Sequence, residues 1–324
     1  MYNGKKVLVA GGAGFVGKNL VLRLLDMGAH VTATTFTRDG DIKHPNLRYV
    51  KVDLTLIENC QSVVRDVDFV FMCAANTSGA AVMEKTPLAH LTPNIFMNLG
   101  MLDASYAAGV KKFLFISSNT VYPVTDKPVA ENDVTNEFFE KYFIVAWMKR
   151  FTEIVCEMYS EKIKDPMKVV VVRPANIYGR FDDFEWETSH VIPALIRKVV
   201  ERHAPLEVWG DGMDLKEFIY IDDFIDGMLL AMKNYSGFEP LNIAAGKPST
   251  IKEILKIIIE TDGFDNANII FNADKPSMIR KRLIDPSLAE KRINFKATTS
   301  MEEGLKDTIN WYRSSVGEKM EISK

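Results

Sequence analysis

The chain has 324 residues, is 47% hydrophobic and 26% charged, the balance of a globular protein with one large core and room for a smaller second one. Its 40 Lys and Arg against 43 Asp and Glu leave a net charge of −3, which offers no electrostatic footing for nucleic acid or an anionic membrane. Cys60, Cys73 and Cys156 are odd in number and lack metal-ligand spacing, so no metal is expected and a reducing, cytoplasmic location is.

Lys5 and Lys6 stand near the N-terminus, but the segment behind them is broken by Gly11, Gly12, Gly14 and Gly17, so it predicts neither a signal peptide nor a membrane span. Short β-branched runs predict strands near 6–10, 30–35, 47–52, 68–73, 112–117 and 168–173. Apolar residues at three- and four-residue spacing predict helices at 15–27, 94–109 and 138–160. The alternation is that of βαβ units closing a parallel sheet, and Cys73, in the run Phe69-Val70-Phe71-Met72, is expected to be a buried structural thiol.

Beyond Pro174 the rhythm changes. Helices are expected near 189–201, 222–233, 250–261 and 299–314, with short apolar segments at 206–209 and 268–271. The fold expected is α/β: a Rossmann-type doubly wound parallel sheet over residues 1–175, and a smaller α/β C-terminal lobe over 176–324. A segment near 213–235 returns to the first domain, and the ligand lies in the cleft between the lobes.

The strand Lys6-Val7-Leu8-Val9-Ala10 runs into glycines at 11, 14 and 17, followed by helical Lys18-Asn19-Leu20-Val21-Leu22. Gly11 permits a tight turn, Gly14 lets a pyrophosphate approach the backbone and Gly17 allows close helix–sheet contact, while the helix N-terminus offers free N–H donors. A dinucleotide cofactor is therefore expected. At the end of the second strand, where a carboxylate would grip the ribose of NAD, stands Thr35, with Arg38 three residues on. No charge there repels a 2′-phosphate and Arg38 can pair with one, which favours NADP, with NAD as the alternative. Asp53, after Tyr49-Val50-Lys51-Val52, is placed to accept from the adenine amino group, and Ala74 and Ala75 are small enough for the cofactor to lie across the next strand end.

Together with Ser117-Ser118-Asn119-Thr120-Val121-Tyr122-Pro123, Arg173-Pro174-Ala175-Asn176-Ile177-Tyr178-Gly179 and Phe218-Ile219-Tyr220-Ile221-Asp222-Asp223, these features resemble the extended short-chain dehydrogenases, the epimerases, dehydratases and reductases of nucleoside-diphosphate sugars. The likeness covers nearly the whole chain. Ser189-His190-Val191-Ile192-Pro193-Ala194-Leu195, Val208-Trp209-Gly210-Asp211-Gly212 and Asp274-Lys275-Pro276 with Arg280-Lys281-Arg282 are most similar to the GDP-L-fucose synthase branch. The resemblance implies an oxidoreductase or isomerase with a nucleoside-diphosphate sugar as substrate, and cofactor contacts at Phe15, Val16, Leu54, Lys149 and Pro174. It further implies substrate contacts at Asn176, Val191, Trp209, Lys216 (where the family usually has arginine) and Arg280 or Arg282. A homodimer formed through the helices near 94–109 and 138–160 is also implied, with Phe143, Ile144, Trp147 and Met148 suited to that surface.

The resemblance also supplies the catalytic set and its defect. Ser118 would polarise a sugar ketone, and Lys149 with Glu153 one turn on matches the family's catalytic helix. Four residues before Lys149, however, where a proton-donating tyrosine belongs, stands Val145. Tyr142 is seven residues from Lys149, about 10 Å along a helix. Thr120 stands where the fucose synthases have a cysteine base, and a hydroxyl is a poor base. Three alternatives follow: redox chemistry with Tyr142, Ser118, Thr120 or water handling the proton; epimerisation beside a ketone with His190 as acid or base; or a non-catalytic protein that keeps both ligands.

Overall fold

The computed structural model describes residues 1–76, 86–275 and 278–322. Pro276 of the Asp274-Lys275-Pro276 motif lies outside them. In chain order the first half contains β1 (Lys6–Ala10), α1 (Phe15–Asp26), β2 (His30–Thr35), β3 (Leu47–Lys51), α2 (Ile57–Val63), β4 (Phe69–Met72), α3 (Thr92–Ala107), β5 (Lys112–Ile116), α4 (Phe143–Glu157) and β6 (Val169–Pro174). The second half contains β7 (Asn176–Tyr178), α5 (Val191–Val200), β8 (Leu206–Trp209), β9 (Leu215–Tyr220), α6 (Ile221–Asn234), β10 (Leu241–Ile243) and β11 (Pro248–Thr250). It ends with α7 (Ile251–Asp262), β12 (Ile269–Asn272), β13 (Lys281–Arg282), α8 (Ser287–Ile293) and α9 (Met301–Ile322).

Seven strands among the described residues form one parallel sheet in the order β10-β6-β5-β4-β1-β2-β3. Alternate side chains of its central strands go to opposite faces, each covered by helices. Val7, Val9, Phe69, Phe71 and Leu114 pack with Leu20 and Leu24 of α1 and Phe224 and Met228 of α6. Leu8, Ala10, Val70, Met72, Phe113 and Phe115 pack with Cys60 of α2, Met101 and Leu102 of α3 and Cys156 of α4. Each such side chain contributes about 1.5–3 kcal/mol on leaving water. The chain winds outward from β1 to β3 and then returns to β4 on the other side of β1, so the crevice of this topology opens between the ends of β1 and β4. The later strands make a smaller sheet, β11-β9-β13 with β7 beside β9, and a separate β8–β12 pair.

Three differences from the sequence expectations matter for the site. The helix expected from 138 begins only at Phe143, after a 3₁₀ turn at Glu140–Tyr142. The apolar residues before it serve aromatic contacts, Phe138 on Trp147 and Phe139 on Tyr142, so Tyr142 sits at the N-cap of α4 and not within it. The short β10 joins the main sheet beside β6, and α2 adds a helix that the sequence pattern did not predict.

Candidate active site

The glycine turn is dictated by space. Gly11 has φ +76°, and a Cβ on it would lie 2.6 Å from the Cα of Ala74, while one on Gly17 would lie 2.1 Å from the Gly11 carbonyl oxygen. At Gly14 the nearest atom would be that same oxygen at 3.3 Å, a tight contact but far less severe than the one at Gly17. Gly14 is also the N-cap of α1, and no side chain caps the helix. Phe15 and Val16 in its first turn are half-buried, and the helix start offers amides that no side chain caps, the donors an anion would require. The turn is fixed by the Gly11 N–H donating to Thr34 Oγ1 (2.9 Å) and the Gly12 N–H to the Thr34 carbonyl (2.9 Å). These features fit a dinucleotide pyrophosphate.

Around this seat, Thr35 is buried at the end of β2. Arg38 is exposed beyond it, with its guanidinium 3.9 Å from the Asp183 carboxylate. Asp53 holds an Asx turn, one carboxylate oxygen accepting from the N–H and hydroxyl of Thr55 (2.9 and 2.7 Å). Leu54 is buried, and Ala74 and Ala75 follow β4 with solvent access. Pro174 closes β6, its carbonyl accepting from the Asn119 amide at 3.1 Å. Cys73 is half-exposed, contrary to the buried thiol expected. Its pKa is nevertheless pushed up to about 12 by desolvation, against the charge of Lys149.

At the end of β5, Ser118 caps a 3₁₀ turn (Asn119–Val121). Its Oγ accepts from the Thr120 N–H (3.1 Å) and lies 3.0 Å from Thr120 Oγ1. Lys149 reaches the same strand end from α4: its Nζ donates to the Ile116 carbonyl at 2.7 Å and stands 5.0 Å from the centre of the Phe115 ring. Burial lowers the Lys149 pKa to about 8, opposed by Glu153 and Cys73. Val145, one turn before Lys149, is half-buried. Tyr142, at the N-cap of α4, packs its ring edge-on against Phe139; burial raises its pKa, with the Arg282 charge opposing and the Asp214 charge reinforcing.

What fixes Ser118 and Lys149 relative to each other is a buried network. Glu153, fully buried one turn beyond Lys149, receives both Arg173 Nε (2.8 Å) and Nη2 (2.7 Å) and the Ser117 hydroxyl (2.5 Å). Arg173 Nη1 donates to the Tyr122 hydroxyl (3.1 Å) and to the Glu131 carbonyl (2.9 Å). Tyr122 in turn donates to Asn242 on β10 (2.5 Å), whose own N–H donates to the Glu131 carboxylate (2.7 Å). Bidentate pairing and these extra bonds offset the cost of burying the charges. None of these side chains was singled out from sequence by role. The available signal was an arginine at the end of four valines, Val169-Val170-Val171-Val172, since a charge in a buried strand requires a partner.

In the second half of the chain, His190 is the N-cap of α5, and its side chain makes no capping bond. Solvent reaches the ring, yet the protein packed around it lowers its pKa, with the Asp183 charge opposing. Val191 beside it is half-buried. Asn176 donates its amide to the Glu217 carbonyl at 2.8 Å, which leaves its side-chain oxygen as the group to meet a ligand. Lys216 lies 3.4 Å from Asp214. Arg280 is exposed and bound to Asp211 at 2.5 Å. Arg282, an alternative phosphate cation, is instead buried and donates to the Pro123 and Tyr122 carbonyls at 2.8 and 3.2 Å, so it braces the loop after Ser118. Trp209 is 53% exposed, its ring 5.6 Å from Lys275 Nζ, and is therefore available for stacking and not part of the core. No group of His, Cys, Asp and Glu suited to a metal ion occurs among the described residues, and no helix among them is long and apolar enough to cross a membrane.

The chain is 30% identical over 328 residues to a putative GDP-L-fucose synthase 2 of Arabidopsis thaliana, and 29% identical over 325 residues to a probable GDP-L-fucose synthase 1 of Oryza sativa subsp. japonica. Each match covers 97% of this chain and 93% of the relative. A solved UDP-glucose 4-epimerase of Thermotoga maritima, in complex with UDP-glucose, superposes with a TM-score of 0.86 at 26% identity over 96% of this chain and 99% of its own. The family model described as NAD dependent epimerase/dehydratase matches residues 7–244. A glycine turn opening on the crevice, with the lysine helix and the serine-bearing strand end beside it, is what that match spans, and the chain belongs to the NAD-dependent epimerase/dehydratase family.

Proposed function

We propose that the chain is a nucleotide-sugar oxidoreductase, transferring hydride between NADP and a GDP-linked sugar or 4-keto sugar. The observation that carries this is the convergence of an uncapped, side-chain-free helix start at Gly14 with Lys149 and Ser118 at the neighbouring strand end. The GDP-L-fucose synthases to which it is similar over 97% of its length supply the choice of sugar nucleotide. Residues 1–175, with the returning segment near 213–235, would seat the cofactor, and 176–324 the sugar nucleotide. The nicotinamide, when bound, supplies the hydride. The amides of Phe15 and Val16 would hold its pyrophosphate, Asp53 its adenine, Arg38 a 2′-phosphate and Lys149 the ribose next to the ring. Asn176, Val191, Trp209, Lys216 and Arg280 would line the sugar-nucleotide side, with Ser118 on the ketone.

Epimerisation without net redox change is the second reading. It is supported by valine at 145 and by the lowered pKa of His190, which keeps a neutral imidazole available as a base. Incubation with GDP-, UDP-, dTDP- and CDP-sugars and their 4-keto forms separates the two. Reduction changes nicotinamide absorbance, epimerisation incorporates solvent deuterium at sugar carbons without that change, and neither signal with any sugar would refute both. For the cofactor, Arg38→Ala should weaken NADP binding by about tenfold and leave NAD unchanged. Equal effects on both would remove the case for NADP.

The exposed ridge of Phe143, Trp147 and Phe151 on α4, with Phe96 on α3, supports a homodimer through these helices, Met148 being buried and Ile144 half-buried. Light scattering should give twice the chain mass, and Trp147→Glu should give the monomer. Free cysteines at 60, 73 and 156 suit a reducing cytoplasm.

A further inference from the structure

With valine at 145 and Tyr142 at the N-cap of α4, its ring packed edge-on against Phe139, the ketone oxygen of the proposed substrate needs another proton donor. The turn after β5 contains one. A hydroxyl has one proton and two lone pairs. Ser118 Oγ accepts from the Thr120 backbone N–H at 3.1 Å and meets the Thr120 hydroxyl at 3.0 Å. A ketone oxygen can only accept, so a sugar ketone at Ser118 selects one direction for the pair: Thr120 donates to Ser118 and Ser118 donates outward. Among the described residues no protein acceptor takes the Ser118 proton, and Ser118 and Thr120 are both half-buried at the strand end that Lys149 also reaches.

We propose that Ser118 and Thr120 act as a two-hydroxyl relay that replaces the missing phenol, Ser118 Oγ protonating the ketone oxygen and Thr120 Oγ1 restoring the Ser118 proton. As the carbonyl carbon accepts a hydride, the C–O π pair becomes a lone pair on oxygen. That oxygen takes the Ser118 proton, Oγ takes the Thr120 proton, and Thr120 takes one from water. The Thr120 N–H and O–H both strengthen as negative charge develops on Ser118 Oγ, because each is already aimed at it. In this scheme Thr120 supplies and shares charge and does not abstract a proton from carbon, the task for which a hydroxyl is unsuited. The relay rests on the proposed ketone chemistry, but it applies equally if the ketone is enolised, since the oxygen is protonated in both.

The test uses the full-length protein with its cofactor and a 4-keto sugar nucleotide carrying ¹³C at the ketone. Thr120→Val should slow reduction roughly 10- to 100-fold with KM within about twofold, while Thr120→Ser should keep most of the rate. Without turnover, the infrared carbonyl stretch of the bound sugar should be shifted down in the wild type, less so in Thr120→Val, and return to its solution value in Ser118→Ala. Wild-type rate and an unchanged carbonyl shift in Thr120→Val would overturn the relay. So would loss of reduction in Tyr142→Phe with Thr120→Val intact, which would make the phenol the donor. A wild type that shifts the carbonyl but neither reduces nor exchanges any sugar would refute the proposed reaction while supporting the hydroxyl donor. One that shifts no carbonyl and reduces nothing would refute both.

Discussion

The turn after β1 and the turn after β5 both stand at the carboxyl edge of one parallel sheet, but they are specified in different ways. The first is written in backbone: Gly11 and Gly17 have no room for a Cβ, and a ligand seat follows from the resulting geometry. The second is written in side chains gathered from β5, α4, β6 and β10 around Glu153 and Arg173. A backbone-specified seat persists wherever the pattern persists. A site made of side chains can differ at one position, such as 145, without any change to the scaffold that carries it.

That contrast can be broken or sharpened by experiment. The largest effect is expected from Glu153→Ala, which leaves the 2%-exposed Arg173 without its carboxylate and should cost about 3–5 kcal/mol in urea unfolding. Replacing both partners by Met should recover part of that loss. If the single change were neutral, the catalytic end would not depend on the buried pair. Gly17→Ala, with its new Cβ 2.1 Å from a carbonyl oxygen, should cost about 3 kcal/mol and abolish dinucleotide binding. Gly14→Ala, whose Cβ would lie 3.3 Å from the Gly11 carbonyl oxygen, should lose less stability than Gly17→Ala and bind the dinucleotide more weakly. Comparable stability losses for the two glycines would erase the distinction between packing and ligand positions.

Val145→Tyr comes next. Placing a phenol one turn from Lys149 should raise the reductase rate about tenfold in stopped-flow measurements, and no gain would mean that the pocket has no room for it. The smallest effect concerns Lys149, whose pKa burial lowers to about 8 from an ordinary 10.5. Between those values the unfolded chain binds a proton that the folded one does not, so this group's contribution to stability rises with pH across the interval, and below about 8 its full penalty applies. Lys149→Met should therefore raise Tm at pH 7 by about 1–3 °C and gain less at pH 10, while weakening dinucleotide binding. A fall in Tm at pH 7 would show that its bond to the Ile116 carbonyl outweighs the burial penalty.

The same division explains what could be read from sequence. β1 and β2 fall where the apolar runs ended, because a turn residue closes each run and pairing is parallel and buried. The glycine turn was legible because Gly11, Gly14 and Gly17 lie within seven residues, although Thr34 and Ala74, which hold and enclose it, do not. Glu153, Arg173 and Tyr122 were present in recognisable segments, but their partnership spans 20 to 51 positions and no local pattern encodes it. The start of α4 was misplaced because Phe138 and Phe139 satisfy a helical period while packing as aromatics around Trp147 and Tyr142. β10 is three residues long, below the length at which alternation is visible.

Helix α1, whose first turn follows Gly14, is fastened to the second half of the chain. The Asn19 amide donates to the Arg180 carbonyl at 3.0 Å, Lys18 lies over the Phe181 ring, and Arg23 is bonded to Asp226 of α6. A dinucleotide held at the first turn of that helix would be coupled through these contacts to the 180–190 segment that ends in His190. Each ligand should then change the affinity for the other by the same factor, which titration of each in the presence of the other measures.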